Sequence, residues 1–244
     1  MRISVTFLLA ALILSTRGVT RADDRAYAHA IIAKAIRAAG GEEKLAHYQA
    51  QTWKENATFF GAGPTQQYEA SYAAEWPDKF LVEIQGEFTM VLNGDKGWVR
   101  TKSKTRDMSK AELEEHREGV YSFWVISLLP LRDGAFKLTA LGDKRVLDRP
   151  TAGIRVSRKG HSDLSLYFDK ETGLLARMDT RFKEARTGKE INQETTFCGY
   201  TVEAASGTRS PTKISINRDG KHVVEAHIDL KHIEKIDGRI FARP

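Results

Sequence analysis

The sequence has 244 residues, of which 41% are hydrophobic and 29% charged, and its 38 basic and 32 acidic residues give a formal net charge of +6. The basic residues are interleaved with acidic ones instead of forming one block, which argues against a nucleic-acid surface. A single cysteine, Cys198, excludes an internal disulfide and any zinc site built on several cysteines.

The first 22 residues have the pattern of a secretory signal peptide. Arg2 precedes an apolar run over residues 5–14, and small residues then lead to the acidic pair Asp23-Asp24. That run is about half the length that a membrane-spanning helix needs, and no later stretch is long enough either. We therefore expect an exported protein without a transmembrane segment in the mature chain, residues 23–244.

Two helices are predicted before the chain changes to strands. Apolar residues recur at helical spacing over residues 26–39 and Gly40-Gly41 ends that helix, and a short second helix is expected over residues 42–48. From Gln51 the hydrophobic period changes to two, and turn signals such as residues 93–97 (NGDKG) separate the alternating stretches. Short turns between strands predict antiparallel hairpins in series, not βαβ units.

One further helix interrupts the strands. Ser109 and Glu112 have the spacing of a capping box, and the helix is expected to continue into the uncharged stretch VYSFWVISLLPL, residues 120–131, where Pro130 ends or kinks it. This stretch has two interpretations of similar weight: a helix packed permanently on the sheet as core, or a lid that covers a cavity.

Strands return after residue 136 and bring the total to about twelve, beside helical segments at residues 26–48 and 109–131. The predicted fold class is mainly β (α+β), with one strongly curved antiparallel sheet in a single domain over residues 23–244. A sheet of this size must curl or close, and it is wider than its own side chains readily fill. A cavity for an apolar ligand is therefore expected between sheet and helices.

The stretch SLYFDKETGLLARM, residues 165–178, raises the question of a carboxylate site. Asp169 and Glu171 lie in a charged loop between two alternating strands, but a calcium loop needs more oxygen ligands than these two and Thr172 supply. Gly173 suits a left-handed turn position, and Asp169 suits a side chain that bonds its own turn backbone. We interpret the loop as the corner of a hairpin and predict no metal site.

Motifs of the common enzyme classes are missing, including G-x-S-x-G, H-E-x-x-H, a Walker loop and a dinucleotide fingerprint. Residues 160–163 (GHSD) place nucleophile, base and acid types in adjacent positions, whereas a triad is assembled from distant segments. His222, His227 and His232 recur every five residues on one strand, so His227 faces away from the other two and they cannot share a metal. We expect neither catalysis nor a cofactor.

Five segments together resemble one known family: GGEEKL (40–45), PDKFLVEI (77–84), VLNGDKGWV (91–99), SLYFDKETGLLARM (165–178) and SPTKISINRDGKHVVEAHI (210–228). They are similar to the LolA-like outer-membrane lipoprotein-sorting proteins, the LolA/LolB/LppX superfamily, and indicate a divergent branch of it. The resemblance implies an unclosed antiparallel β-barrel of about eleven strands with helices as a lid. It also implies a cavity that receives lipoprotein acyl chains or other lipids, in the periplasm of a bacterium with an outer membrane.

The leading hypothesis is a monomeric periplasmic carrier or chaperone for lipoprotein acyl chains or another lipid-like ligand, with envelope membrane proteins as donors and acceptors. The alternative is a cell-envelope scaffold or sensor domain with a filled core and a protein partner, and a hydrolase of envelope substrates comes third. Alternation alone does not decide which face of a strand is concave. Where the register is shifted by one residue, the neighbouring residues line the cavity instead of those given next. The side chains predicted to line the cavity are Trp53, Phe59, Phe80, Val82, Phe88, Met90 and Trp98 from strands and Phe123, Trp124 and Leu128 from the lid.

Overall fold

A computed structural model describes residues 21–61 and 63–244 of the chain. Apart from its last two residues, the predicted signal peptide lies outside the described residues. The helices are α1 (Arg21–Ala38), α2 (Glu42–His47) and α3 (Lys110–Ile126), with 3-10 turns at Leu129–Arg132 and Gly238–Phe241.

The strands follow one another in chain order with short connections. They are β1 (Ala50–Phe59), β2 (Gln66–Glu75), β3 (Lys79–Ile84), β4 (Phe88–Asn93), β5 (Lys96–Thr101), β6 (Thr105–Asp107), β7 (Lys137–Val146), β8 (Arg149–Ser157), β9 (Leu164–Asp169), β10 (Leu175–Lys183), β11 (Glu190–Cys198), β12 (Thr201–Val202), β13 (Arg209–Ser210), β14 (Lys213–Arg218) and β15 (Lys221–Ile233).

One large antiparallel sheet dominates the described part of the chain. It has thirteen strands in the order β6-β5-β4-β3-β2-β1-β15-β14-β11-β10-β9-β8-β7, and β12 and β13 form a separate two-stranded ribbon. Because β6 and β7 remain as free edges, the curved sheet is not closed into a barrel. The predicted fold class is therefore confirmed, with more strands than the expected eleven or twelve.

Helix α3 begins where the capping box places it but ends at Ile126, earlier than the predicted segment 109–131. The Ser109 hydroxyl accepts a hydrogen bond from the Glu112 backbone N–H, and the Ser109 N–H donates to the Glu112 carboxylate at 2.8 Å, which completes the predicted capping box. The helix ends at Ile126, and Leu128 has a positive φ of 75° before the 3-10 turn that contains Pro130. Proline suits the start of a helical turn because its missing N–H has no partner there in any case.

Three apolar clusters stabilise the sheet from its two sides. On the concave side, α1 buries Ile32 and Ala35 against the half of the sheet that contains Ile154 and Leu166. A second concave cluster lies beneath α3 and contains the members Trp53, Ala70, Ala74, Phe80, Val82, Met90, Leu92 and Val120. A third covers the convex side, where Ile236 and Phe241 from the C-terminal segment pack on the members Ala50, Ala73, Val91 and Trp98.

The hairpin between β9 and β10 is closed by the side chain of Asp169. Its Oδ1 accepts hydrogen bonds from the backbone N–H of Glu171 (3.0 Å) and from the N–H and hydroxyl of Thr172 (2.7 and 3.0 Å). Its Oδ2 lies 2.6 Å from Arg149 Nε, and Gly173 has a positive φ of 78°. The interpretation of this loop as a hairpin corner is confirmed.

We expect Asp169→Ala to lower the free energy of unfolding by about 1–3 kcal/mol, because it removes the buried carboxylate that accepts several hydrogen bonds of the turn. Glu171→Ala is the matched control. The Glu171 side chain is exposed and bonds only Arg149, so we expect a change within about 0.5 kcal/mol. Urea denaturation at pH 7 measures the stability of both variants. Equal losses in Asp169→Ala and Glu171→Ala would contradict the structural role of Asp169.

The contribution of Asp169 also depends on pH. Burial raises the pKa of this carboxyl, but the hydrogen bonds from Thr172 and Glu171 and the charge of Arg149 outweigh it, so the pKa is lowered. A carboxyl with a lowered folded-state pKa stabilises the protein above its unfolded pKa of about 3.9, and this contribution is lost as the pH falls through the folded value. The stability difference between wild type and Asp169→Ala should therefore shrink below about pH 4.

Candidate functional site

A cavity of about 710 Å³ lies between the concave face of the sheet and α3. Strands from both halves of the sheet contribute to its walls, α3 covers it, and α1 and α2 contribute at one end. Its volume is within the range of about 300–1,000 Å³ that is usual for small-molecule sites. The space is therefore large enough for a hydrocarbon ligand.

Four aromatic rings join α3 to the sheet at this cavity. Trp53 stacks on Tyr72 with ring centroids 4.5 Å apart, and Phe80 stacks on Phe123 of α3 at 5.8 Å. Phe123 also meets the Trp53 ring edge-on at 5.9 Å. Such pairs contribute about 0.5–1.5 kcal/mol each beyond the area they bury. The only α3 ring in this group, Phe123, is 37% exposed and is therefore the less firmly held partner.

Most of the predicted lining residues do face this cavity. The walls include Trp53, Phe80, Val82, Phe88, Met90, Phe123 and Leu128. These side chains share the concave face because they occupy alternate positions of β1, β3 and β4 or lie on or just after α3. Their role in ligand binding stays a prediction.

Trp98 lies on the other face of the sheet, contrary to the prediction. The hairpin of β4 and β5 turns through Gly94 and Asp95 alone, and this two-residue loop fixes the register so that Val99 is opposite Met90. Val99 therefore shares the concave face, and Trp98 points to the convex side, where it is 6% exposed.

Phe59 and Trp124 also lie outside the cavity. Phe59 is the last residue of β1, is 38% exposed and is not part of the cavity wall. Trp124 follows Phe123 on α3 and is therefore rotated by about 100° around the helix. Its ring meets Phe136 edge-on at 5.7 Å, with the Arg158 guanidinium 5.0 Å from its centroid.

Helix α3 is tied to the loops at the sheet margin by its carboxylates. The Glu118 carboxylate lies 2.8 Å from His161 Nδ1 and accepts a 3.0 Å hydrogen bond from the Ser162 backbone N–H. Glu115 accepts a 2.7 Å bond from the Ala185 backbone N–H. His161 and Ser162 therefore hold the helix against the β8–β9 loop, and their adjacency has a structural explanation.

A second polar group surrounds His232 at one end of the cavity. Its Nδ1 lies 2.8 Å from Thr208 Oγ1 and 3.2 Å from Glu203 Oε2. A catalytic triad needs the hydroxyl and the carboxylate on opposite ring nitrogens, whereas here both contact the same one. Burial lowers the pKa of His232 despite the opposing effect of Glu203. This arrangement ties the β12–β13 connection to β15.

Glu55 is a cavity residue that the sequence reasoning missed. It lies on β1 two residues from Trp53, lines the cavity and is only 5% exposed. Burial raises the pKa of its carboxyl, and the hydroxyls of Tyr68 and Tyr72 oppose the shift. The available signal was an acidic residue at an inward position of the alternating run Trp53, Glu55, Ala57.

Two further observations concern the described residues alone. None of their helices combines the length and the apolar character that a bilayer span requires. Within residues 21–61 and 63–244, no group of three or more His, Cys, Asp or Glu side chains is placed to hold a metal ion.

Comparison with known proteins gives matches at the level of structure. No family model and no curated protein matches the sequence. A DUF1329 family protein from Desulfovibrio piger aligns with a TM-score of 0.60 at 13% identity, over 88% of this chain and 97% of that one. A LolA superfamily protein from Nitrosomonas europaea aligns with a TM-score of 0.56 at 12% identity, over 88% and 97%. The fold is LolA-like.

A third neighbour has the same LolA-like fold. It is a domain from Vibrio parahaemolyticus classed with outer membrane lipoprotein-sorting proteins, with a TM-score of 0.56, 10% identity and coverage of 86% of this chain and 97% of that one. At such identities the likeness shows the fold alone, since one fold hosts many functions. The fold that the sequence resemblance implied is confirmed.

Proposed function

We propose that this protein is a carrier or chaperone of the bacterial envelope that holds acyl chains of lipoproteins, or of another lipid-like ligand, beneath α3. The observation that carries this proposal is the cavity of about 710 Å³ with apolar side chains on both sheet and helix. Protein interiors are close-packed, and voids larger than a water molecule are few in a domain. A space of this size with an apolar lining is therefore best explained by a ligand.

Burial of hydrocarbon supplies a large part of the free energy for such binding. Each methylene removed from water contributes about 0.8 kcal/mol, so about ten buried methylenes would contribute about 8 kcal/mol before the entropic cost of association. A net value of about 8 kcal/mol corresponds to micromolar affinity. A second acyl chain or a polar contact would offset the cost of association.

The proposed setting is the periplasm of a bacterium with an outer membrane. The signal-peptide pattern of residues 1–22 supports export, and the name of the Vibrio neighbour supports a role in lipoprotein sorting and outer membrane biogenesis. In this proposal the protein works as a monomer without catalysis of its own. It receives its cargo from one envelope membrane protein and delivers it to another.

A scaffold or sensor domain remains the alternative function, with a protein as its partner. This function requires a filled core, in which the side chains of the protein occupy the space on the concave side of the sheet. The open space beneath α3 disfavours it, because neither the concave clusters nor α3 occupies that volume. No specific contact of the described residues favours it over the carrier.

The proposal predicts that delipidated protein binds a fluorescent palmitoyl probe and a synthetic lipopeptide at micromolar concentrations or below. Ile84→Asp places an unpaired charge on the half-buried cavity wall and should weaken binding at least about tenfold. Gln85→Asp adds the same charge at the next position, which is exposed, and should leave the affinity unchanged.

Fluorescence titration measures these affinities, and circular dichroism of each variant checks its fold. Mass spectrometry of lipids retained after native purification identifies the natural cargo. Absence of binding to either probe by folded wild-type protein would refute the carrier function.

A further inference from the structure

Glu55 occupies an unusual place for a carboxylate. On β1 it is opposite Ala70 of β2 on one side and Ile228 of β15 on the other, so its direct cross-strand neighbours are apolar. Its side chain faces the cavity and is only 5% exposed. Burial of an ionised carboxylate costs several kcal/mol unless other groups pair with it. Its presence here therefore calls for a partner.

The protein itself satisfies this carboxylate only in part. Tyr68 and Tyr72 flank Ala70 on the same face of β2, and the Tyr68 hydroxyl donates a 2.7 Å hydrogen bond to Glu55 Oε1. The Tyr72 hydroxyl also stabilises the carboxylate, and among the described residues no cation forms a salt bridge with Glu55. A carboxylate offers about four acceptor positions on its two oxygens. Acceptor capacity therefore remains free on the cavity side.

Three glutamates of α3 that line the cavity do not share this property. Glu112 lies 2.6 Å from Arg106 Nη2 in a salt bridge, and Glu118 bonds the β8–β9 loop. Glu115 bonds the backbone of the β10–β11 connection. Each of these groups has a structural partner at the margin of the sheet, whereas Glu55 lies among apolar and aromatic side chains.

We propose that Glu55, positioned by Tyr68 and Tyr72, accepts a hydrogen bond from a ligand that combines a hydrocarbon chain with an ammonium, hydroxyl or amide N–H group. This inference rests on the proposed carrier function and narrows its substrate class. The hydrocarbon lies along the aromatic wall at Trp53 and Phe80, and the donor reaches the cavity side of the Glu55 carboxylate. The site then discriminates against esters and free fatty acid anions of the same chain length, since neither presents a donor to the carboxylate.

The test compares three sixteen-carbon compounds that displace the fluorescent palmitoyl probe: hexadecylamine, 1-hexadecanol and methyl palmitate. We expect the amine and the alcohol to bind wild-type protein at least about tenfold more tightly than the ester, as for a charge-assisted hydrogen bond in a buried site. Equal affinities of wild-type protein for all three compounds overturn the inference, independently of the results with variants.

Glu55→Gln removes the charge at nearly constant volume and is expected to weaken hexadecylamine binding about tenfold while methyl palmitate stays within about twofold. Glu69→Gln removes the same charge from an exposed position of β2 and should change neither affinity. Unchanged amine binding in folded Glu55→Gln overturns the inference. Failure of all three compounds and of the probe to bind refutes the carrier function instead, so the two outcomes are distinguishable.

Discussion

Replacement of Trp53 by alanine is expected to lower the free energy of unfolding by about 3–5 kcal/mol, the usual cost of truncating a large buried aromatic side chain. Trp53 is 9% exposed and contacts the rings of Tyr72, Phe80 and Phe123. Its removal therefore loosens both the sheet beneath α3 and the attachment of the helix itself. Urea denaturation followed by far-UV circular dichroism measures the loss.

The same substitution should also weaken ligand binding, because the Trp53 ring forms part of the cavity wall. We expect an affinity about tenfold lower for the palmitoyl probe in the folded variant. Trp53→Phe retains an aromatic ring and is expected to lie between wild type and alanine in both measurements. Full affinity in folded Trp53→Ala would contradict the placement of the ligand against this wall.

Trp98→Ala should lower the free energy of unfolding by a similar amount, about 3–5 kcal/mol, and leave the affinity for the palmitoyl probe unchanged. Trp98 is packed on the convex face with Val91, Ile236 and Phe241, so its loss detaches the C-terminal segment but removes nothing from the cavity. Urea denaturation and probe titration of the folded variant test the two expectations separately.

Trp98→Phe is the control for the loss of stability in Trp98→Ala. The buried indole Nε1 of Trp98 has no hydrogen-bond partner in the described residues, so phenylalanine removes an unsatisfied donor while it keeps most of the apolar contact. We expect it to cost less than Trp98→Ala, because it leaves a smaller cavity and removes the unsatisfied donor. A tenfold loss of affinity in Trp98→Ala would contradict the assignment of this residue to the convex face.

Local signals made several elements predictable. The capping box at Ser109 depends on groups three residues apart, and the hairpin at Asp169 depends on bonds within a five-residue loop. The alternation of apolar and polar residues likewise identified most strands, because successive side chains of a strand point to opposite faces of the sheet. These features are set by neighbours in the chain and therefore can be read from it.

Long-range packing was not predictable in the same way. The residues of β4 that face the cavity were predicted correctly. The face on which Trp98 lies depends on the register between β4 and β5, which the two-residue loop sets. The cover of the convex face by Ile236 and Phe241 had no local signal, because these residues follow the last strand of the sheet. Glu55 was missed because only the assembled sheet shows that this carboxylate is buried.

The order of the strands has a consequence for how the protein folds. β1 and β15 are adjacent near the middle of the sheet, where Ala50 is opposite Ile233 and Phe59 is opposite Val224. The strands on either side of this junction, β1 to β6 and β7 to β15, pair mainly with near neighbours in sequence, and only two residues separate β14 from β15. Contacts between segments as distant as β1 and β15 form slowly, because a long loop must close before they contribute.

Without the pairing of β1 with β15, the local pairings give two separate sheets, with β1 as a bare edge of one and β15 as a bare edge of the other. Unpaired edges of this kind are templates for association with other chains. The pairing of β1 with β15 therefore both completes the sheet and removes the edges through which partly folded copies would aggregate.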